Sequence, residues 1–192
     1  QEMRLEIKKL HKLLNITMIY VTHDQIEAMT MGDRIAILRS GSIEQIDTPD
    51  KLYNNPISKF VASFIGMPQM NFIEGVINKK DDLIEFENAD MKFKFKNIDK
   101  FSNYDSKQSV TMGIRPEHIY NNVNLNDSDN ILSADIEIIE NMGSYHLIHF
   151  KKGESKFSAS IENFTPNTNK FRLTFDIEKS HFFNTDNNQI IS

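Results

Sequence analysis

His23 is the residue whose type and position most clearly suggest chemistry. It follows a short run, Thr17 to Thr22, in which β-branched and aromatic residues favour a strand and polar alternation is missing. Such a run is typical of a strand buried on both faces of a parallel sheet. Asp24, with Glu27 three residues later, predicts the capped start of a helix. A histidine here can donate a hydrogen bond to an anion at the carboxyl edge of the sheet. The alternative is a polar strand-end residue satisfied by nearby backbone.

The residues before this run have the pattern of an amphipathic helix. Met3, Ile7, Leu10 and Leu14 recur at helical spacing. The pattern starts at Gln1 without a capping residue or an initiator methionine. We therefore expect the chain to be a segment of a larger protein.

Turn and cap residues divide the segment after His23 into short elements. Strands are predicted over Arg34 to Arg39 and Ser42 to Asp47, joined by a Ser-Gly turn. Thr48, followed by a proline, predicts the start of one helix, and Pro56 predicts the start of another. The order of helix, buried strand, helix, hairpin and two helices is typical of the tail of an α/β nucleotide-binding domain.

The composition and the hydrophobic period both change near residue 67. From there, short period-two patterns alternate with clusters of Asn, Asp, Gly and Ser, which is typical of a small antiparallel barrel or a pair of barrels. The fold class expected is therefore α/β over residues 1–66, followed by all-β over residues 67–192. The predicted strands are Phe72 to Ile77, Leu83 to Glu87, Met91 to Phe95, Val110 to Ile114, Ala134 to Ile139, Leu147 to Phe150, Lys156 to Ser160 and Phe171 to Ile177.

Charge and composition exclude several classes of protein. The net charge of −5 lies entirely in residues 67–192, which argues against a nucleic-acid surface there. No apolar run approaches the roughly 18 residues that a membrane span needs, and the first residues are not a signal peptide. The chain has no cysteine, which fits a reducing cytoplasm and excludes thiolate chemistry.

Several motifs resemble one family in order and spacing. Ile19 to Thr30, which includes His23, closely resembles the switch-histidine segment of ABC-transporter ATPase subunits. Gly113 to His118 resembles the hallmark of the C-terminal accessory domain found in the sugar-importer branch, and Phe64 to Phe72 favours that branch over the polyamine and iron branches. The intervening motifs are Asp33-Arg34-Ile35, Gly41-Ser42-Ile43-Glu44-Gln45, Thr48-Pro49, Leu52-Tyr53, Pro56, Phe60-Val61-Ala62 and Phe64-Ile65-Gly66.

The resemblance implies a role for His23 and a set of partners. The matching histidine contacts the ATP γ-phosphate and orients the attacking water, so His23 is the expected catalytic and ATP-binding residue. The complete subunit is expected to use ATP and magnesium, to form a homodimer, and to bind membrane-spanning permease subunits and a regulatory protein. It would then be cytoplasmic and peripheral on the inner face of the cell membrane. The transported solute is not indicated by the sequence.

The same resemblance shows which family motifs are missing. The chain has no phosphate loop, no signature serine-glycine segment and no acidic magnesium-binding strand. We therefore expect the 192-residue chain alone to be inactive and to bind neither ATP nor magnesium tightly.

The part over residues 67–192 resembles the OB-like accessory module (TOBE/MOP type) of sugar importers, which takes part in dimerisation and regulation. Arg115 and Glu117 flank Pro116, and a rigid corner with an ion pair is favoured there over a direct binding site. Glu140 and Gly143 lie in another family landmark, where Gly143 is expected to have a positive φ angle. These four residues are the regulatory or interface candidates.

Two alternatives remain at this point. The function of the chain itself can be non-enzymatic, as a regulatory and dimerisation module that binds a partner protein or a small ligand. An OB-type nucleic-acid binder is disfavoured, because the phenylalanines that could stack on bases are expected to form the core: Phe93, Phe95, Phe157, Phe171 and Phe175. No metal site is expected, since His146 and His149 would point to opposite faces of one strand.

Overall fold

Capping side chains mark the starts of the three helices that follow the first one in residues 1–66. The computed structural model describes residues 2–80, 82–96, 101, 107–121, 130–165 and 170–191, so Gln1 lies outside the described residues. Asp24 and Thr48 cap helices as predicted, whereas the helix expected from Pro56 begins after Ser58, whose hydroxyl accepts from the Val61 N–H at 3.3 Å. The elements are α1 (Glu2–Leu14), α2 (Gln25–Met31), β1 (Ile35–Arg39), β2 (Ser42–Asp47), α3 (Pro49–Asn54) and α4 (Lys59–Phe64). Strands β1 and β2 form the predicted hairpin.

The segment Thr17 to Thr22 is not a strand in this structure, so that prediction is wrong for this chain. No described strand pairs with it. The side chains of Ile19 and Val21 are each 90% exposed. A parallel strand needs neighbours on both sides for its backbone hydrogen bonds, and its apolar side chains need covering layers. The described residues supply neither.

Two five-stranded antiparallel sheets make up most of the rest of the described chain. The fold as a whole is therefore mostly β with few helices and is barrel-like. The first sheet has the order β12-β6-β3-β4-β5, with β3 (Asn71–Lys80), β4 (Leu83–Glu87), β5 (Lys92–Phe95), β6 (Gln108–Ile114) and β12 (His181–Asn184). The second has the order β10-β9-β8-β11-β7, with β7 (Ile119–Tyr120), β8 (Ile131–Asn141), β9 (His146–Lys152), β10 (Ser155–Ile161) and β11 (Lys170–Phe175). Short 3₁₀ turns lie at Pro116–His118 and Ile177–Lys179.

Side-chain amides join the two sheets. The Asn71 side chain, on β3, donates to the Ser158 carbonyl at 2.8 Å and accepts from the Ser158 N–H at 2.7 Å. It also donates to the Ile114 carbonyl at 3.1 Å. Asn130 pairs in the same way with both backbone groups of Lys94, at 2.7 and 2.8 Å. Each asparagine thus satisfies backbone groups that a neighbouring strand would otherwise pair.

One hydrophobic core extends across both sheets. The five phenylalanines predicted to be core are all buried: Phe93, Phe95, Phe157, Phe171 and Phe175. A separate cluster, formed by Ile37, Leu52, Val61 and Ile65, holds the hairpin to α3 and α4. Within the described residues, no helix is both long and apolar enough to cross a lipid bilayer.

Candidate functional site

His23 lies in a tight turn between the unpaired segment and α2, and its side chain is exposed. The Asp24 carboxylate accepts from the N–H groups of Ile26 and Glu27, at 2.8 and 3.2 Å. These bonds fix the start of α2. They are also the main reason why the pKa of Asp24 is lowered, since backbone donors favour the ionised carboxylate. The turn therefore presents the His23 ring to solvent from a fixed helix start.

A second set of contacts ties this turn to α1. The Arg4 guanidinium donates to Glu27 at 3.2 Å and to Asp24 at 3.1 Å. Glu27 also accepts from the Thr22 hydroxyl at 2.7 Å, and this bond is the largest cause of its lowered pKa. The expected reciprocal cap from Glu27 to the Asp24 N–H is replaced, because that N–H donates to the Thr22 hydroxyl at 2.9 Å. The residues on both sides of His23 are thus held by charged and polar partners.

Arg115 lies in a buried corner between the two parts of the chain, with 2% of its surface exposed. Its guanidinium donates to the Ile65 carbonyl at 2.9 Å and to the Tyr53 carbonyl at 2.7 Å. The guanidinium carbon also lies 3.5 Å from the centre of the Tyr53 ring, in cation–π contact. Burial lowers the pKa of Arg115. Arg115 therefore connects the end of β6 to α3 and to the end of α4.

Glu117 does not form the ion pair with Arg115 that the sequence favoured. Instead, the Tyr53 hydroxyl donates to the Glu117 carboxylate. Burial, followed by this hydrogen bond, raises the pKa of Tyr53 to about 12. The Arg115 guanidinium contacts the Tyr53 ring, whereas Glu117 binds the Tyr53 hydroxyl, so both charged side chains contact Tyr53. Tyr53 and the two backbone carbonyls, and not an ion pair, hold the corner together.

Gly66 allows this corner to close. Its φ angle is +124°, which favours glycine, and a Cβ atom there would lie 2.2 Å from Arg115 Nη1. With its amide oriented to satisfy both neighbours, the Gln25 side chain donates to the Phe64 carbonyl at 3.3 Å and accepts from the Gly66 N–H. Gln25 lies two residues after His23, so the His23 turn and the Arg115 corner share Gly66.

Glu140 and Gly143 lie elsewhere, at the end of the β8–β9 hairpin. Gly143 has a φ angle of +89°, as expected, and its N–H donates to the Asn141 side chain at 2.9 Å. Glu140 Oε1 lies 2.6 Å from His149 Nε2. No hydrogen bond or ion pair among the described residues connects this hairpin end to His23 or to Arg115.

The described residues contain no group of three or more histidine and acidic side chains arranged to hold a metal ion. His146 and His149 contact different neighbours. The His146 ring lies 5.9 Å from the Phe164 ring, whereas His149 pairs with Glu140.

Sequence reasoning missed Gln25 and Tyr53 as parts of the site. Both lie inside motifs that resemble the family, but their partners are distant along the chain. Arg115, for example, binds Tyr53 across 62 residues. Of the features of this corner, the positive φ angle of Gly66 is the one that the residue type alone could predict, because glycine adopts such angles without strain.

Comparison with known proteins gives consistent matches. Residues 66–119 match the family model described as the MalK OB fold domain. The chain is 38% identical over 189 residues to the trehalose/maltose import ATP-binding protein MalK of Thermococcus litoralis, covering 94% of this chain and 50% of that protein. It is 39% identical over 185 residues to the sulfoquinovosyl glycerol transport ATP-binding protein SmoE of Agrobacterium fabrum, covering 95% and 50%.

A solved structure of the cytoplasmic molybdate-binding protein ModG aligns with a TM-score of 0.45 and 9% identity, over 58% of this chain and 94% of that one. The chain spans about half the length of the curated relatives it matches.

Proposed function

Because the chain belongs to the family of ATP-binding subunits of ABC sugar importers, we propose that it forms the C-terminal half of such a subunit. In this proposal, the subunit hydrolyses ATP to energise uptake of a carbohydrate or a related solute. Residues 1–66 are the tail of a P-loop-type nucleotide-binding domain, and residues 67–192 are an OB-like accessory domain. The observation that carries the proposal is the exposed His23, held in a fixed turn directly after an apolar segment that no described strand pairs with.

The exposed apolar segment supports a missing sheet. Ile19 and Val21 are each 90% exposed, and Leu13, just before, is 81% exposed. Leaving such side chains in water costs roughly 1.5–3 kcal/mol for each large aliphatic residue that could otherwise be fully buried. In the proposed domain, this segment becomes a central parallel strand, and the other half of the subunit supplies the neighbouring strands. His23 then lies at the carboxyl edge of that sheet, where ligands of open α/β sheets bind.

His23 would act on the terminal phosphate of ATP. Its exposed imidazole can donate a hydrogen bond to a γ-phosphate oxygen and orient the attacking water. Asp24, Arg4 and Glu27 fix the backbone around it, so little reorganisation is needed when ATP binds. Among the described residues, His23 is the side chain that we assign to the ATP site. Magnesium, when bound, would neutralise phosphate charge, and we assign its ligands and the phosphate loop to the other half of the subunit.

The proposed partners follow from the same family. The subunit would form a homodimer that closes over two ATP molecules and would bind membrane-spanning permease subunits, which would hold it at the inner face of the cell membrane. A regulatory protein is a further possible partner of the accessory domain.

A second candidate function is a non-enzymatic module for regulation and dimerisation. The observation in its favour is that the two sheets have a hydrophobic core of their own, within the described residues. In this case residues 67–192, which we call the β part, would fold and self-associate without any nucleotide.

The test is to compare ATP hydrolysis by the complete gene product with that of the 192-residue chain, at saturating ATP and magnesium. We expect turnover from the complete product only. An inactive complete product, together with a stable dimer of the 192-residue chain, would support the module instead.

A further inference from the structure

We propose that Arg115 and Gln25 are positioning residues, which hold His23 in place through the backbone of Gly66. We call this series of contacts, Gln25 to Gly66 to Arg115, the corner link. The inference rests on the proposed function, because it concerns how the β part controls the residue expected at the γ-phosphate.

The first step of the link joins α2 to the end of α4. The Gln25 side-chain amide lies against the Phe64 carbonyl and the Gly66 N–H, and with its amide oriented to satisfy both, it donates to the carbonyl at 3.3 Å and accepts from the N–H. Gln25 is the first residue of α2, whose start the Asp24 carboxylate caps, and His23 directly precedes that cap. A shift of Gly66 therefore moves the helix start that carries His23.

The second step joins Gly66 to Arg115. The guanidinium occupies the space that any Cβ at position 66 would need, since that atom would lie 2.2 Å from Nη1. The same guanidinium nitrogen donates to the carbonyl of Ile65, at 2.9 Å. Arg115 thus fixes the peptide that precedes Gly66 and fills the space beside the Gly66 backbone.

The third step anchors Arg115 in the β part. Arg115 follows β6, whose last residue, Ile114, is fully buried and pairs with Asn71 of β3. The turn after Arg115 carries Glu117, which accepts from the Tyr53 hydroxyl. The Arg115 backbone is therefore held by an interior strand of the first sheet, and its guanidinium is held by the Tyr53 ring.

The consequence is that the β part and the His23 turn are connected through a buried arginine and a side-chain amide, without direct contact to His23. A displacement of about 1 Å at a catalytic group can lower turnover by up to a hundredfold. Loosening the corner link should therefore lower kcat for ATP while leaving its KM nearly unchanged.

The experiment uses the complete gene product and measures kcat and KM for ATP in Arg115→Lys, Gln25→Leu and Gln25→Glu. Lysine loses the forked donation to two carbonyls. Glutamate keeps the acceptor for the Gly66 N–H but loses the donor to Phe64, so it should fall between Leu and the parent. Arg172→Lys, at an exposed position of β11, is the matched control. We expect about a tenfold loss of kcat for Arg115→Lys and Gln25→Leu, and none for the control.

Repeating Arg115→Lys and Gln25→Leu in a His23→Ala background separates positioning from general damage. If both residues act through His23, they should change the residual turnover by less than about twofold there. An equal loss in both backgrounds, or a loss seen only in KM, would overturn the inference. Should Arg115→Lys fail to fold in a thermal melt, the two Gln25 variants decide the question alone.

The outcomes for the inference and for the proposed function are distinct. If His23→Ala is as active as the parent, or the parent is inactive, the proposed function fails. If His23→Ala is impaired and neither Arg115→Lys nor Gln25→Leu changes kcat, the corner link alone fails.

Discussion

Tyr53 keeps its phenolic proton more firmly in the folded protein than an ordinary tyrosine does. Burial and the hydrogen bond to Glu117 raise its pKa to about 12, above the ordinary value of 10.0. The folded state thus binds this proton more tightly than the unfolded state. The stability that this gives is fully present below about pH 10 and is lost as the pH rises towards about 12.

We therefore expect the unfolding free energy of the parent to fall more steeply between about pH 10 and pH 12 than that of Tyr53→Phe. Urea denaturation at a series of pH values measures this. Tyr120→Phe, at a partly exposed tyrosine of β7, is the control and should follow the parent. Parallel curves for the parent and Tyr53→Phe would show that the corner does not hold this proton.

At the scale of single residues, the sequence predicted which side chains matter better than it predicted their partners. Arg115 and Glu117 were identified from a local motif, but the carbonyls that Arg115 binds belong to residues 50 and 62 positions earlier. Local spacing carries no information about such contacts. The prediction of an ion pair between Arg115 and Glu117 was wrong, because Glu117 binds the Tyr53 hydroxyl and Arg115 lies over the Tyr53 ring.

Among the elements, β3 and β10 are joined by the Asn71 side chain, and also by the Asn88 amide, which donates to the Glu74 carbonyl and the Ser155 hydroxyl. Asn71→Leu should leave both backbone groups of Ser158 and the Ile114 carbonyl without their Asn71 partner. Each buried polar group left unsatisfied costs about 1–3 kcal/mol, so we expect a loss of at least about 2 kcal/mol in unfolding free energy.

Chemical denaturation of both Asn71→Leu and Asn78→Leu measures this effect. Asn78 is in the same strand, but its side chain pairs only with the Glu87 carboxylate among the hydrogen bonds of the described residues, at 2.9 Å. Its replacement should cost less than that of Asn71, because it removes one hydrogen bond, and the partly exposed Glu87 carboxylate can bind water instead. Equal losses in the two variants would argue against the joining role of Asn71.

Several strands over residues 67–192 were predicted well because their buried and exposed residues alternate, as in β5 and β10. Leu83–Glu87 was predicted with the observed bounds, and the seven other predicted strands each lie within three residues of the observed bounds. Strand β12 (His181–Asn184) was missed because Phe182 and Phe183 are adjacent and both buried, which hides the period of two. Thr17 to Thr22 failed for the opposite reason, since its apolar pattern is right for a strand but the described chain has no sheet to receive it.

For the whole molecule, we expect the two parts to differ in stability. In the 192-residue chain, backbone amides over residues 17–22 should exchange fastest, because they lack strand partners and carry exposed side chains. Residues 2–66 should be less protected than the two sheets, whose core is continuous. The small cluster of Ile37, Leu52, Val61 and Ile65 should give its own elements intermediate protection.

Hydrogen exchange followed by mass spectrometry tests this expectation. In the complete gene product, the amides of residues 17–22 should become strongly protected, as a central strand requires. Equal protection of both parts in the 192-residue chain, or no gain over residues 17–22 in the complete product, would contradict the proposed missing sheet.

The most direct measurement is ATP turnover of the complete gene product, comparing the parent with His23→Ala at saturating ATP and magnesium. Loss of one positioned catalytic donor commonly costs 10²–10³ in kcat, so His23→Ala should lose at least about a hundredfold. His11→Ala, which alters a histidine of α1 that lies 4.0 Å from Asp33, should stay near the parent rate. Equal turnover in the parent and in His23→Ala would contradict the placement of His23 at the γ-phosphate.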